Sequence, residues 1–91
     1  MADAKHQKGT LSELVCQQEL VQEGYDVFTP ITGHGPVDIV AIHPETGNIR
    51  LIDVKTLSRR RDGTRIYRTP SVPQKKIGVE VIEIDLFEAL N

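Results

Sequence analysis

The sequence predicts an α/β domain with a central mixed β-sheet flanked by helices. Three observations lead there. Residues 10–23 carry the spacing of one helix, residues 37–43 and 49–56 alternate with the period of strands, and the short turn between those strands requires antiparallel pairing. Ninety-one residues make one domain, close to the size at which a single core is only marginally stabilising. Chains this small commonly gain stability by pairing with a second copy, so a homodimer is expected.

Taken in order, residues 1–9 are polar and read as a flexible N-terminus, with the single domain spanning 10–91. Thr10-Leu11-Ser12-Glu13 has the form of a capping box, with Thr10 as N-cap and Glu13 reaching back to its amide. The helix it opens stops at Gly24. Leu11, Leu14, Val15 and Val21 fall on one side of it and Glu13, Cys16 and Leu20 on another, which predicts neighbours on two sides. Residues 25–28 read as a first strand and 32–36 as a turn-rich connection.

In the second strand, Val37, Ile39 and Ala41 share one face and Asp38, Val40 and Ile42 the other. Residues 44–48 form the hairpin turn. In the third strand, Ile49, Leu51, Asp53 and Lys55 share a face. A second turn signal at 61–64 makes residues 64–68 the return strand of a basic ribbon, with Tyr67 expected in the core. Pro70 and Pro73 punctuate the chain, residues 79–85 form the last strong strand, and Leu86–Leu90 a short helix.

Cys16 is the only cysteine, which excludes an intrachain disulfide and a cysteine-based zinc site and fits a reducing, cytoplasmic setting. The histidines at 6, 34 and 43 are scattered. His34 reads as a bystander in a glycine-rich loop, and His43 lies at the far end of its strand from Asp38. The N-terminus has no signal-peptide pattern, and no stretch approaches the roughly 20 apolar residues of a membrane span.

The net charge of −2 hides a sharp division. Residues 55–76 hold eight basic residues against Asp62 alone, a net of +7, and the remainder holds three basic and twelve acidic residues, a net of −9. That asymmetry is the footprint of a polyanion-binding face on an otherwise acidic molecule.

Asp53 and Lys55 leave the same face of one strand, and the hairpin brings Asp38 alongside. An acid and a lysine two residues apart are ordinary on a solvent-facing strand. Here they interrupt apolar faces, where charge is costly unless it pairs, binds metal or lines a cleft. Two carboxylates suffice to hold a hard divalent cation that keeps several waters. Such an ion activates water and neutralises a phosphate, and a neighbouring ammonium stabilises the charge developing at phosphorus.

The run Gly35-Pro36-Val37-Asp38-Ile39-Val40-Ala41, followed by Asp53-Val54-Lys55 with fourteen residues between the two aspartates, resembles the PD-(D/E)XK nuclease superfamily. That group includes restriction enzymes, archaeal-type Holliday junction resolvases, and phage and homing endonucleases. The resemblance runs from the first helix to the strand at 79–85. It implies a restriction-endonuclease-like core and a Mg²⁺ cofactor, with Mn²⁺ able to substitute. Asp38 and Asp53 would be metal ligands, the Val54 carbonyl a third, and Lys55 the catalytic lysine. Glu13 matches the carboxylate that many members present from the first helix, and the capping box explains it equally well.

Arg59, Arg60, Arg61, Arg65 and Arg68 would grip phosphates beside the site, and Gln74, Lys75 and Lys76 stand where the superfamily supplies further polar contacts. The turn-rich basic stretch departs from the helix that often follows the lysine. The implied function is a Mg²⁺-dependent DNA endonuclease selective for Holliday junctions or other branched DNA, serving recombination in a bacterial, archaeal or phage-infected cell. The alternatives are a sequence-specific homing or restriction-type endonuclease, a non-cutting nucleic-acid-binding module of the same fold, and an adaptor for an acidic partner.

Overall fold

Side chains alternating along two central strands build the core. A computed structural model describes residues 4–90. The elements are α1 (Ala4–Gln22), β1 (Asp26–Phe28), β2 (Ile39–Ile42), β3 (Ile49–Thr56), β4 (Ser58–Arg59), β5 (Arg65–Ile66), α2 (Val72–Ile77), β6 (Val79–Ile84) and α3 (Leu86–Leu90). The main sheet has the order β1-β2-β3-β6. β2 runs antiparallel to both β1 and β3, and β6 runs parallel to β3. The protein is therefore α/β with a mixed sheet, as the sequence predicts. A parallel partner needs a crossover of a dozen or more residues, and the β4–β5 ribbon and α2 supply it.

Ile39 and Ile52 face one another across the β2–β3 ladder, both fully buried. Each contributes roughly 1.5–3 kcal/mol by leaving water. Ala41, Val54 and Ile84 extend that surface, and Cys16 and Leu20 of α1 close over it. The buried stripe of α1 is thus Ser12, Cys16 and Leu20, spaced four apart. On the other expected apolar side Val15 packs against the core while Leu11, Leu14 and Val21 remain exposed.

Three local expectations are corrected. Residues 4–9, read as a flexible terminus, are helical, while 1–3 lie outside the described residues. Thr10 is consequently internal to α1, its hydroxyl donates to the His6 carbonyl at 3.2 Å, and the capping box at 10–13 does not form. Each residue added to an existing helix gains a backbone hydrogen bond, which offsets the cost of about 1 kcal/mol for Gly9. Tyr67, expected in the core, is 74% exposed.

A capping box does occur, at Ser71 and Gln74 of α2. Val72 and Pro73 occupy the first helical positions, where a missing amide hydrogen costs nothing. Gly78 ends α2 at φ 77°, a conformation that glycine adopts without strain. The prolines read as punctuation therefore start a helix. Among the described residues, no helix is long and apolar enough to cross a membrane.

Candidate active site

The site forms where β3 outruns β2. The antiparallel register ends at Ile39 opposite Ile52, with Asp38 just before Ile39 and Asp53 just after Ile52. The Asp38 amide donates to the Ile52 carbonyl at 2.8 Å. Beyond that point the β2 edge of β3 has lost its strand partner. The Asp38 carboxylate takes over, accepting the Val54 amide hydrogen at 2.7 Å. In an extended strand the N–H and C=O of one residue leave by the same edge, so the Val54 carbonyl opens beside Asp38.

Asp53 is 4% exposed. Its Oδ2 lies 3.3 Å from Lys55 Nζ, an ion-pair distance without hydrogen-bond geometry. Shielded from solvent, that oxygen has no hydrogen-bond partner. A buried carboxylate oxygen left this way is costly. Burial pushes the Asp38 carboxyl up to about 6; the Val54 amide opposes the rise, and the neighbouring Asp53 and Glu13 carboxylates add to it. Two acids are thus held together at a strand end in mutual repulsion, an arrangement a divalent cation relieves.

Glu13, freed of any capping role, shares with Asp38 a cavity of about 300 Å³ between α1 and residues 29–33. Among the described residues no three Asp, Glu, His or Cys side chains make a ligand cluster on their own. The donor set nevertheless suits a hard ion: two carboxylates, a strand carbonyl and room for water.

Hydroxyl groups fix α1 over this end of the sheet. Ser12, 1% exposed, and Thr56 share a hydrogen bond of 2.7 Å, and the Thr56 hydroxyl donates to the Lys8 carbonyl at 3.4 Å. Ser12 precedes Glu13 and Thr56 follows Lys55, so this relay sets the helix carboxylate relative to the strand lysine. Gln74 plays a comparable part from α2. Its Oε1 accepts the Ser71 amide hydrogen at 2.8 Å and its Nε2 donates to the Pro36 carbonyl at 3.0 Å. Gln74 thereby holds the loop two residues ahead of Asp38. Lys75 and Lys76 are exposed in the last turn of α2, where cations suit the helix dipole.

The basic ribbon is the β4–β5 hairpin. Asp62, the only acid in the stretch, is used as a turn former, accepting from the Thr64 hydroxyl and amide, which hold its carboxyl below the usual range. Arg60 and Arg61 sit exposed at the tip. Arg65 anchors the ribbon, pairing with Glu83 at 3.5 Å and lying over the Tyr67 ring at 4.8 Å. Arg59 and Arg68 line a groove of about 560 Å³ that also contains Val54 and Lys55.

Its far wall carries Lys5 and Lys8, which the sequence reading left out because residues 1–9 looked unstructured. Their spacing of three was the available signal. His34 stays in its loop against the Thr32 carbonyl, and His43 packs edge-on against Tyr25. Comparison of the chain with protein-family models, with curated proteins and with solved structures returns no match.

Proposed function

We propose that this protein is a metal-dependent DNA endonuclease of the PD-(D/E)XK type, with a restriction-endonuclease-like core and Asp38, Asp53 and Lys55 as its catalytic set. One observation carries the reading. The buried Asp53 oxygen, ion-paired with Lys55 at 3.3 Å but without a hydrogen bond, lies beside an Asp38 whose carboxyl is raised to about 6. Folding brings these charges together at a cost that a bound cation and a phosphate would reverse.

Asp38, Asp53 and the Val54 carbonyl would hold Mg²⁺, or Mn²⁺ in its place. The ion would supply the Lewis acidity that lets water attack phosphorus at neutral pH. Lys55, 39% exposed at its side chain, reaches from the buried carboxylate toward the groove and would stabilise the charge developing on the phosphate. Glu13 would orient water across the cavity it shares with Asp38. Arg59 and Arg68, with Arg60 and Arg61 at the tip, would contact phosphates without reading sequence. Gln74 would keep the Asp38 loop in place.

Phosphate contacts of this kind position a duplex without reading its bases, so selection would fall on DNA shape, and branched or junction DNA is the substrate class we favour. A homodimer would present two sites to such a substrate. The test is incubation of labelled four-way junction, flap, duplex and single-stranded DNA with and without Mg²⁺. Cleavage that disappears in Asp53→Ala while binding persists supports this reading. Binding without cleavage in either Mg²⁺ or Mn²⁺ identifies a non-cutting module, and no binding at low salt points to an adaptor for another acidic partner.

A further inference from the structure

Only three basic residues lie outside residues 55–76: Lys5, Lys8 and Arg50. Arg50 is committed elsewhere, hydrogen-bonded to Glu80 and 3.8 Å from Glu23. Lys5 and Lys8 instead line the groove that holds Lys55, Arg59 and Arg68. We propose that this groove is a phosphate track for one nucleic-acid strand. The first turns of α1 form one wall and the basic ribbon the other, and the strand's backbone is led to Lys55. The choice of nucleic acid as ligand rests on the nuclease reading above.

Several features support the track. Spacing of three places both lysines on one helix face, where like charges repel. They also stand near the positive end of the helix dipole, with no acidic residue in the first turn. Among the described residues neither ammonium is in an ion pair. In the free protein these placements are unfavourable, and a polyanion removes the penalty.

Among the described residues no carboxylate lines the groove. A second cavity, about 490 Å³, is lined by Glu19, Glu83, Asp85 and Glu88 together with Arg59 and Arg65, so acids outnumber bases there and the other groove suits a phosphate backbone better. Gly9, next to Lys8, also lines the groove, and its missing side chain is not required by packing, since a Cβ there would meet nothing within 4 Å. A glycine in a helix costs stability relative to alanine, and here it keeps the groove wall low where a backbone passes. Finally, among the described residues the groove has no aromatic side chain to stack on bases, so it suits the sugar-phosphate chain and not a particular sequence.

The experiment measures binding of fluorescent DNA in EDTA, where no cleavage occurs, across a range of salt concentrations. Wild type is compared with Lys5→Ala/Lys8→Ala and with Lys5→Arg/Lys8→Arg, helicity being checked by circular dichroism. The alanine pair should weaken binding by about tenfold or more and make the slope of log K against log salt shallower by about two contacts. The arginine pair should retain both. Gly9→Met, which leaves the charge unchanged, should also weaken binding by narrowing the passage.

Equal affinity and equal slope for wild type and the alanine pair would overturn the track, even where wild type cleaves in Mg²⁺. Loss of binding in the alanine pair from a wild type that never cleaves would support the track and defeat the nuclease reading. A wild type that does not bind DNA at low salt overturns both.

Discussion

Asp38 is where folding and function pull apart. Its carboxyl is raised from the ordinary 3.8 to about 6, first by burial and then by Asp53 and Glu13. The folded chain therefore binds that proton more tightly than the unfolded chain does. The contribution to stability is full below the ordinary carboxylate range and is lost as pH rises through about 6. Asp38→Asn keeps an oxygen for the Val54 amide and removes the charge. It should raise metal-free stability at pH 8 by about 1 kcal/mol, the partial exposure of the group limiting the gain, and leave it unchanged below pH 4. Thermal melts at the two pH values check this; a destabilised pH 8 protein would contradict it.

Lys55→Met tests the other member of the set. It should lower kcat by roughly 10²–10³-fold while KM moves little, because the ammonium acts on charge that develops during the reaction. Glu13→Gln should weaken metal-dependent cleavage with the helix intact, since Glu13 lies inside α1 and caps nothing. Unchanged turnover in Glu13→Gln would remove it from the site.

At the scale of elements, two small contacts set the site's geometry. The Ser12–Thr56 hydrogen bond is part-buried and joins α1 to β3 next to both Glu13 and Lys55. Ser12→Ala leaves the Thr56 hydroxyl able to donate to the Lys8 carbonyl but without its donor from Ser12. The cost should be about 1–3 kcal/mol in urea unfolding. Gln74 separates cleanly into two roles. Gln74→Glu keeps an acceptor for the Ser71 amide and loses the donor to the Pro36 carbonyl. The α2 cap should survive while cleavage falls, a split seen by comparing melting temperature with turnover. Turnover equal to wild type would mean that the Asp38 loop holds itself.

At the scale of the whole molecule, charge and sheet geometry converge on one strand end. The +7 stretch begins at Lys55 and folds back as a ribbon beside the end of β3, so the basic face and the paired acids share a border. Glu19, Glu83, Asp85 and Glu88 gather in a separate cavity, where Arg65 of the ribbon pairs with Glu83. Leu11, Leu14, Val21 and Phe28 are exposed large apolar residues that one sheet and three helices leave uncovered. A homodimer, which we expect from the small core, should sediment as such at micromolar concentration. A monomer at all concentrations would remove that part of the proposal.

Much of this was legible in the residues themselves. Period-two alternation marked β3 over Ile49–Thr56, and the short loop with Gly47, at φ 74°, marked its antiparallel hairpin with β2. Both signals are local, since strand faces and tight turns depend on neighbours a few residues away. The Asp38, Asp53 and Lys55 set was legible for the same reason, as the hairpin register follows from its turn. The status of Glu13 was not: a capping pattern at 10–13 competed with continuation of α1 back to Ala4, which docking against Thr56 favours over residues 4–9 fraying. Nor could sequence spacing show that Gln74 reaches Pro36, 38 residues away, or that Lys5 and Lys8 face Arg59 and Arg68. Those contacts join segments distant in the chain. Sequence thus determined the strands, the turn and the paired acids; only tertiary packing decided which helix face, which loop and which lysines close around them.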